Sequence, residues 1–271
     1  MSNLGRRVVT ALILAPLFLA ALFLLPHPLF AVFLGLILLL AAWEWAALCQ
    51  LGGTGRVVAL GVCSVLAALV LLTEMLRPVA VIGVGFWIVA ACAVVLFPRG
   101  REFWSLRSVR LAAGLLVLIP AWSALVLLQA GSLGPWLVLW TMLMVWATDI
   151  GGYFFGRAFG RHKLAPAVSP GKTIEGLLGG VAAALVVSLA MVFFGGLAAA
   201  VGLVIVITAL VVAASVFGDL FESLAKRVAG AKDSGTLLPG HGGVLDRIDA
   251  VLAAAPVAAV LLGHFATELG V

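Results

Sequence analysis

Charge is what this sequence has least of. Asp, Glu, Lys and Arg make up 10% of its 271 residues, against about a quarter in a soluble globular domain. Residues 176–216 contain none of them, and neither do residues 251–263. With 65% apolar residues, the chain cannot cover a water-facing surface, which excludes a soluble domain and indicates a polytopic membrane protein. Cysteine is also scarce. Cys49, Cys63 and Cys92 are odd in number, sit in or beside apolar runs and lack metal-ligand spacing, which argues against a disulfide framework. Ten-residue segments of alternating polarity are missing, so the spans are helices and not barrel strands. No internal repeat is apparent, where an inverted-repeat transporter would show related halves.

What is present are nine apolar segments, roughly 8–25, 29–48, 57–73, 79–97, 109–128, 135–150, 176–194, 198–217 and 250–267. They are separated by breaks such as Pro26-His27-Pro28, Gly52-Gly53 and Gly195-Gly196. The run after Arg6 and Arg7 resembles a signal peptide but is read as the first span, because no small-residue cleavage site stands out and more spans follow. Nine spans put the termini on opposite sides. On that arrangement every one of the 16 basic residues except Arg77 falls on the side of the N-terminus. The positive-inside rule then predicts a cytoplasmic N-terminus and an outside C-terminus. It also accounts for the net charge of +5 without nucleic acid as a partner. The acidic residues share this skew, only Glu74 and Glu268 falling outside. Acidic residues are weak topology signals, so a cation-dependent site on the cytoplasmic face is the expected cause.

The whole chain, 1–271, therefore reads as one transmembrane domain. Residues 1–134 are mainly scaffold helices, and 135–271 are catalytic helices with cytoplasmic loops at 151–175 and 218–249. Trp43, Trp45, Trp104 and Trp136 lie near span ends, where interfacial anchoring explains most of them. Glu44, between two of these, is either a charge at a helix end or a contributor to the site.

Three constellations carry chemistry. Asp149 stands near the end of an apolar span, a costly place for a carboxylate. Gly151, Gly152, Gly156 and Gly160 follow it at near-helical spacing, which suits close helix packing. The only tyrosine, Tyr153, is an interface anchor or a hydroxyl in the site. The second constellation, Ser169-Pro170-Gly171-Lys172-Thr173, fails the Walker pattern, because Pro166 stands where glycine is required. It still offers two hydroxyls and an ammonium, and Pro170 could start a helix whose free N–H groups favour an anion such as a triphosphate. The bland reading is a capping loop with an ordinary lysine. The third is 215–250, a polar island between apolar runs, holding five of the 11 acidic residues and four of the 16 basic ones. Asp219 and Glu222 are i,i+3, Glu222 and Lys226 are i,i+4, and Asp246 and Asp249 are again i,i+3. Two helix ends with paired carboxylates can meet around Mg²⁺, which binds through one or two carboxylates plus substrate phosphates. Lys226, Arg227, Lys232 and Arg247 could neutralise those phosphates. His241 sits in Pro239-Gly240-His241-Gly242-Gly243, a turn whose glycines permit close backbone approach.

Residues 223–249 closely resemble the signature of bacterial phosphatidate cytidylyltransferases, the CDP-diacylglycerol synthases. The pattern runs Ser223, Lys226-Arg227, Lys232-Asp233-Ser234-Gly235, Pro239-Gly240-His241-Gly242-Gly243 and Asp246-Arg247-Ile248-Asp249. The Asp149 region and Ser169–Pro170–Gly171–Lys172–Thr173 look like the family's upstream blocks, with Gly171 where many members carry a second lysine. Together these motifs cover about the last 120 residues of the chain. The first five spans match only in general character. The resemblance implies a multi-pass homodimer in the bacterial inner membrane, with its site facing the cytoplasm. It implies that CTP and phosphatidic acid give CDP-diacylglycerol and pyrophosphate among membrane lipids, with Mg²⁺ and a K⁺ beside it. Carried over, Asp219 and Asp246 are the first metal ligands, with Asp249 next. Lys226, Arg227 and Lys232 join the two aspartates as catalytic residues. Asp149, Ser169, Lys172, Thr173, Ser223, His241 and Arg247 bind substrate. Phosphatidate would enter laterally among the last four spans. A CDP-alcohol phosphatidyltransferase would need an Asp-Gly and Ala-Arg pattern leading into spaced aspartates, which is absent. A transporter with Asp149 and Asp219 along its path is the non-enzymatic alternative.

Overall fold

The structure is a computed structural model. It describes residues 3–195, 201–237 and 242–264, and the side chains of 12–194, 201–237 and 242–263. Helices α1 (Asn3–Leu24), α2 (His27–Leu48), α3 (Gly53–Leu72) and α4 (Leu76–Leu96) precede a short α5 (Arg101–Ser105). Then come α6 (Arg107–Gln129), α7 (Gly134–Phe159), the strands β1 (Lys163–Ala165) and β2 (Ser169–Thr173), and α8 (Ile174–Gly195). The described chain closes with α9 (Val201–Ala229) and α10 (Leu245–His264). The described residues are all-α apart from an antiparallel hairpin, in which Lys163 pairs with Thr173 and Ala165 with Ser169.

Among the described residues seven helices, α2, α3, α4, α6, α7, α8 and α9, are long and apolar enough to cross a membrane, not the nine expected. Of the two others, α1 shows an apolar run at Leu12–Leu24 among the residues whose side chains are described, and α10 carries Asp246, Arg247 and Asp249 in its first five residues. The expected break at Gly195-Gly196 lies partly outside the described residues.

The burial pattern is that of a protein in lipid. α3 buries only Cys63 and Val70 and turns Val57, Val58, Val62, Val65 and Leu69 outward. Such a surface would be an aggregation hazard in water and is ordinary against acyl chains. The centre of the bundle is α6, with 14 of its 23 residues buried, and α10, whose Ala253, Ala254, Ala255 and Ala258 are fully buried. Small side chains on α10 let α4, α6 and α9 approach it. A Cβ on Gly83 of α4 would lie 3.3 Å from Pro256 of α10.

The expected glycine packing face is real, and it joins α7 to α8. A Cβ at Gly151 would stand 2.6 Å from the Gly179 carbonyl oxygen, one at Gly176 2.8 Å from that of Gly152, and one at Gly180 2.7 Å from that of Thr148. Without side chains at these positions the two backbones touch, and dispersion over the seam holds the pair.

Several local expectations are corrected. Helix α7 runs on to Phe159, so 151–159 is helix and not loop. Likewise α9 runs to Ala229, leaving a shorter connection before α10. The polar residues of these stretches keep helical spacing, so they sit along helix faces beyond the apolar part. α9 ends where Gly230 takes φ +69°. There the Ala231 N–H donates to the Lys226 carbonyl at 2.9 Å and the Gly230 N–H to that of Arg227 at 3.3 Å, the Schellman closure that glycine permits. Pro170 starts no helix. It lies in β2, and α8 begins at Ile174 behind Thr173. Trp45 and Trp104 are buried, not interfacial: Trp45 donates to the Arg110 carbonyl at 2.8 Å. Both pack on Phe221, with Phe86 and Trp87 completing the cluster at ring centroid distances of 5.2 to 6.4 Å. Trp136 is half exposed, and Trp43 lies under the Arg56 guanidinium at 5.3 Å.

Candidate active site

The C-terminal half of α7 sets one wall of the site. Asp149, Tyr153 and Arg157 follow at i, i+4 and i+8, so they share a helix face, and the Arg157 guanidinium donates to the Tyr153 hydroxyl at 3.1 Å. Gly152 and Gly156 bring this wall close to the start of α8, where a Cβ at Gly156 would lie 3.2 Å from Thr173 Oγ1. The hairpin then returns Lys172 to this wall. Thr173 is buried, and its Oγ1 accepts the Gly176 N–H at 3.1 Å, the N-cap bond of α8. Glu175 in the first turn accepts the N–H groups of Arg161 at 3.0 Å and His162 at 3.2 Å, and pairs with His162 Nδ1 at 2.6 Å. This clasp ties the end of α7 to the start of α8 and so fixes where the hairpin sits.

The opposite wall comes from α9 and the first turn of α10. Gly218 allows the two helices to touch: a Cβ there would lie 2.6 Å from the Asp249 carbonyl oxygen. Lys172 Nζ pairs with Asp219 Oδ2 at 2.7 Å, joining the hairpin to α9, and the Ser223 hydroxyl lies 3.4 Å from Asp219 Oδ1. Glu222 is buried and pairs with Lys226. Lys226 Nζ also reaches Asp246 Oδ1 at 2.7 Å, which couples α9 to α10. Asp246 Oδ2 accepts the N–H groups of Gly243 at 2.9 Å and Ser234 at 3.0 Å. Both of its oxygens are therefore engaged by the protein. Gly242, at φ +81°, is needed for this turn, since a Cβ there would stand 2.8 Å from Asp246 Oδ2.

These walls enclose a cavity of about 650 Å³. Of the expected site residues, Asp149, Lys172, Thr173, Asp219, Asp246, Arg247 and Asp249 line it. Lys226 and Ser223 stand behind that lining. Ser169 lies on β2 outside it. Arg227 is turned to the hairpin, its Nε donating to the Val168 carbonyl at 3.3 Å. Lys232 is exposed on the loop after α9 and is not in the lining. His241 lies outside the described residues. The lining also contains Tyr153, whose role the sequence left open, and Arg157, which was missed although its spacing from Asp149 was available. A second cavity, about 450 Å³ and walled by apolar residues of α4, α8, α9 and the hairpin, shares Leu164, Leu177 and Val216 with the first. The polar cavity thus adjoins an apolar one, with these three side chains common to both walls.

Charge in the polar cavity is mixed. Asp149, Asp219, Asp246 and Asp249 face Arg157, Lys172 and Arg247. These side chains alone would offer a polyphosphate no excess of positive charge. The donors suit a hard divalent cation. Among the described residues no three His, Cys, Asp or Glu side chains stand together in ligand geometry. Mg²⁺ does not need them, because it keeps waters and shares substrate phosphates with one or two carboxylates.

Comparison with known proteins bears on this geometry. The family model described as "Cytidylyltransferase family" matches residues 5–265. A phosphatidate cytidylyltransferase of Pseudomonas aeruginosa is 46% identical over 262 residues, covering 96% of this chain and 97% of its own. One of Haemophilus influenzae is 37% identical over 286 residues, covering 93% and 96%. One of Staphylococcus saprophyticus is 45% identical over 136 residues, half of each chain. With a match that runs almost end to end and contains every wall of the cavity, the chain belongs to the cytidylyltransferase family, alongside bacterial phosphatidate cytidylyltransferases.

Proposed function

We propose that the protein is a phosphatidate cytidylyltransferase of the bacterial inner membrane, converting CTP and phosphatidic acid to CDP-diacylglycerol and pyrophosphate. The observation that carries this reading is the pair of adjoining cavities: a polar one lined by opposed carboxylates and cations, and beside it an apolar one. A polyphosphate and a phosphate monoester fit the first. Acyl chains fit the second, reached from the lipid between α4, α8 and α9. Nine spans with the N-terminus in the cytoplasm, α1 and α10 being the two outside the seven, would put the polar cavity on the cytoplasmic side, where CTP is. The protein is proposed to act as a homodimer.

In this reaction an oxygen of the phosphatidate monoester attacks the α-phosphorus of CTP, a new P–O bond forms, and the bond to pyrophosphate breaks. The nucleophile is already anionic, so the protein need not supply a strong base. Its task is alignment and charge management. Lys172 and Arg247, with Arg157 on α7, supply positive charge for the phosphates. Lys172 is held in place by Asp219, and that bond gives the ammonium a fixed direction. Lys226 fixes Asp246 and so the first turn of α10. Asp219 and Asp249 are the best-placed holders of Mg²⁺, with Asp149 beside them and Asp246 the least available because both its oxygens are engaged. Bound there, Mg²⁺ would screen phosphate charge and stabilise charge developing on the leaving group. K⁺ is proposed as the second cation.

The test is CTP consumption by purified protein in vesicles. Consumption is expected only when the vesicles contain phosphatidate and Mg²⁺ is present. A transporter would leave CTP intact, and a CDP-alcohol phosphatidyltransferase would consume CDP-diacylglycerol instead.

A further inference from the structure

We infer that Glu44, on α2 in the scaffold half of the chain, is a positioning residue for this site. This inference rests on the cytidylyltransferase reading. Glu44 is 2% exposed, and its carboxylate meets the N-terminus of α10, a helix about 200 residues further along the chain. Oε1 accepts the Val244 N–H at 3.0 Å. Oε2 accepts the Leu245 N–H at 2.8 Å and faces the Ser234 hydroxyl at 3.3 Å. The first N–H groups of a helix have no partner within it. Here they are taken by a carboxylate from another helix, a charge-assisted arrangement favoured by the helix dipole.

The socket is built for this side chain. A Cβ at Gly235 or at Gly243 would stand 2.7 Å from Glu44 Cδ, so both positions must lack one for the carboxylate to enter. Ser234 then links the clamp to the cavity: its hydroxyl faces Glu44, its own N–H donates to Asp246 Oδ2 at 3.0 Å, and the Asp246 N–H points to that hydroxyl at 3.3 Å. Glu44 is absent from the cavity lining and touches no substrate position. What it holds is the register of the first turn of α10, the turn that places Arg247 and Asp249 in the cavity. Gly235, Gly242 and Gly243 beside it add no side chain that could fix that register.

The test uses E44Q, which keeps the shape of the side chain but replaces one acceptor with a donor facing an N–H or hydroxyl, and G235A, which leaves Glu44 in place and fills its socket. Both full-length variants would be purified in detergent with the wild type. Amide hydrogen exchange at 242–250 is expected to speed up at least tenfold in each, while exchange across the α7–α8 seam stays as in the wild type. In turnover assays kcat is expected to fall on the order of a hundredfold, the scale of a misplacement of about 1 Å, with KM for CTP changed less than about threefold. Exchange at 242–250 unchanged in both variants, or accelerated equally across the whole protein, would overturn the inference, as would wild-type kcat in both. The exchange measurement needs no substrate. Failure of the cytidylyltransferase reading would appear as absent turnover in the wild type, and failure of the clamp as unaltered exchange.

Discussion

Asp219 and Asp246 lie in the same cavity and bear the same charge, yet their replacement by alanine is expected to have different consequences. Asp246 accepts three hydrogen bonds: from Lys226 at 2.7 Å and from the Gly243 and Ser234 N–H groups at 2.9 and 3.0 Å. Its loss leaves Lys226, only 14% exposed, with Glu222 alone, and leaves two backbone donors unmatched. Breaking one partner of a buried pair costs about 3–5 kcal/mol, a large part of the stability of a typical domain. Asp219 is bound chiefly to Lys172, with both side chains over a quarter exposed. An ion pair so placed contributes about 1 kcal/mol or less, and the Ser223 contact at 3.4 Å is too long to add much. Asp219 nonetheless lines the cavity opposite Asp149, as a proposed metal holder. Asp219→Ala should therefore accumulate in membranes and melt close to wild type in detergent, while its turnover falls on the order of 10³-fold. Asp246→Ala should lose turnover and melt far lower. Melting of Asp219→Ala as low as that of Asp246→Ala, or wild-type CTP turnover in Asp219→Ala, would refute the division between a site carboxylate and a structural one.

Two further outcomes follow from the geometry. Lys172→Met removes the ammonium that pairs with Asp219 and is proposed to meet the phosphates, so CTP turnover should drop at least tenfold with little change in melting; wild-type kinetics would remove Lys172 from the site. Gly180→Leu drives a side chain into the Thr148 backbone across the α7–α8 seam, and overpacking of this kind costs about 1–3 kcal/mol or more. It should lower the melting temperature and the amount of protein in the membrane, which quantitative immunoblotting reads; unchanged accumulation and melting would show that the seam can open without penalty.

The sequence was most informative where a residue's cost in the membrane is high. Asp149, Asp219, Asp246 and Asp249 stood out as carboxylates at the ends of apolar runs, and all four line one cavity. The glycines after Asp149 showed their packing face through spacing alone. What stayed hidden depends on partners far along the chain. Thr173 could be a phosphate ligand or a cap, and only the start of α8 at Ile174 reveals that its hydroxyl takes the Gly176 N–H. Trp45 and Trp104 have the composition of interface anchors, but Phe221 lies between them in space and draws them inside. α7 and α9 run past their apolar segments to Phe159 and Ala229, because their polar turns keep helical spacing beyond the apolar core. Glu44 showed two local possibilities, and its contacts with a helix start 200 residues away could not be read from either. α10 is not among the seven described helices long and apolar enough to cross, because charges of the cavity lining stand in its first turn.

The most direct measurement follows two labels through one reaction. Purified protein in phosphatidate vesicles with Mg²⁺ receives CTP labelled at the α-phosphorus in one arm and at the γ-phosphorus in the other. Attack at the α-phosphorus puts the first label into the organic-soluble lipid and the second into pyrophosphate, in equal amounts. Label from the γ position in the lipid, or no lipid label from the α position, would contradict cytidylyl transfer at this site.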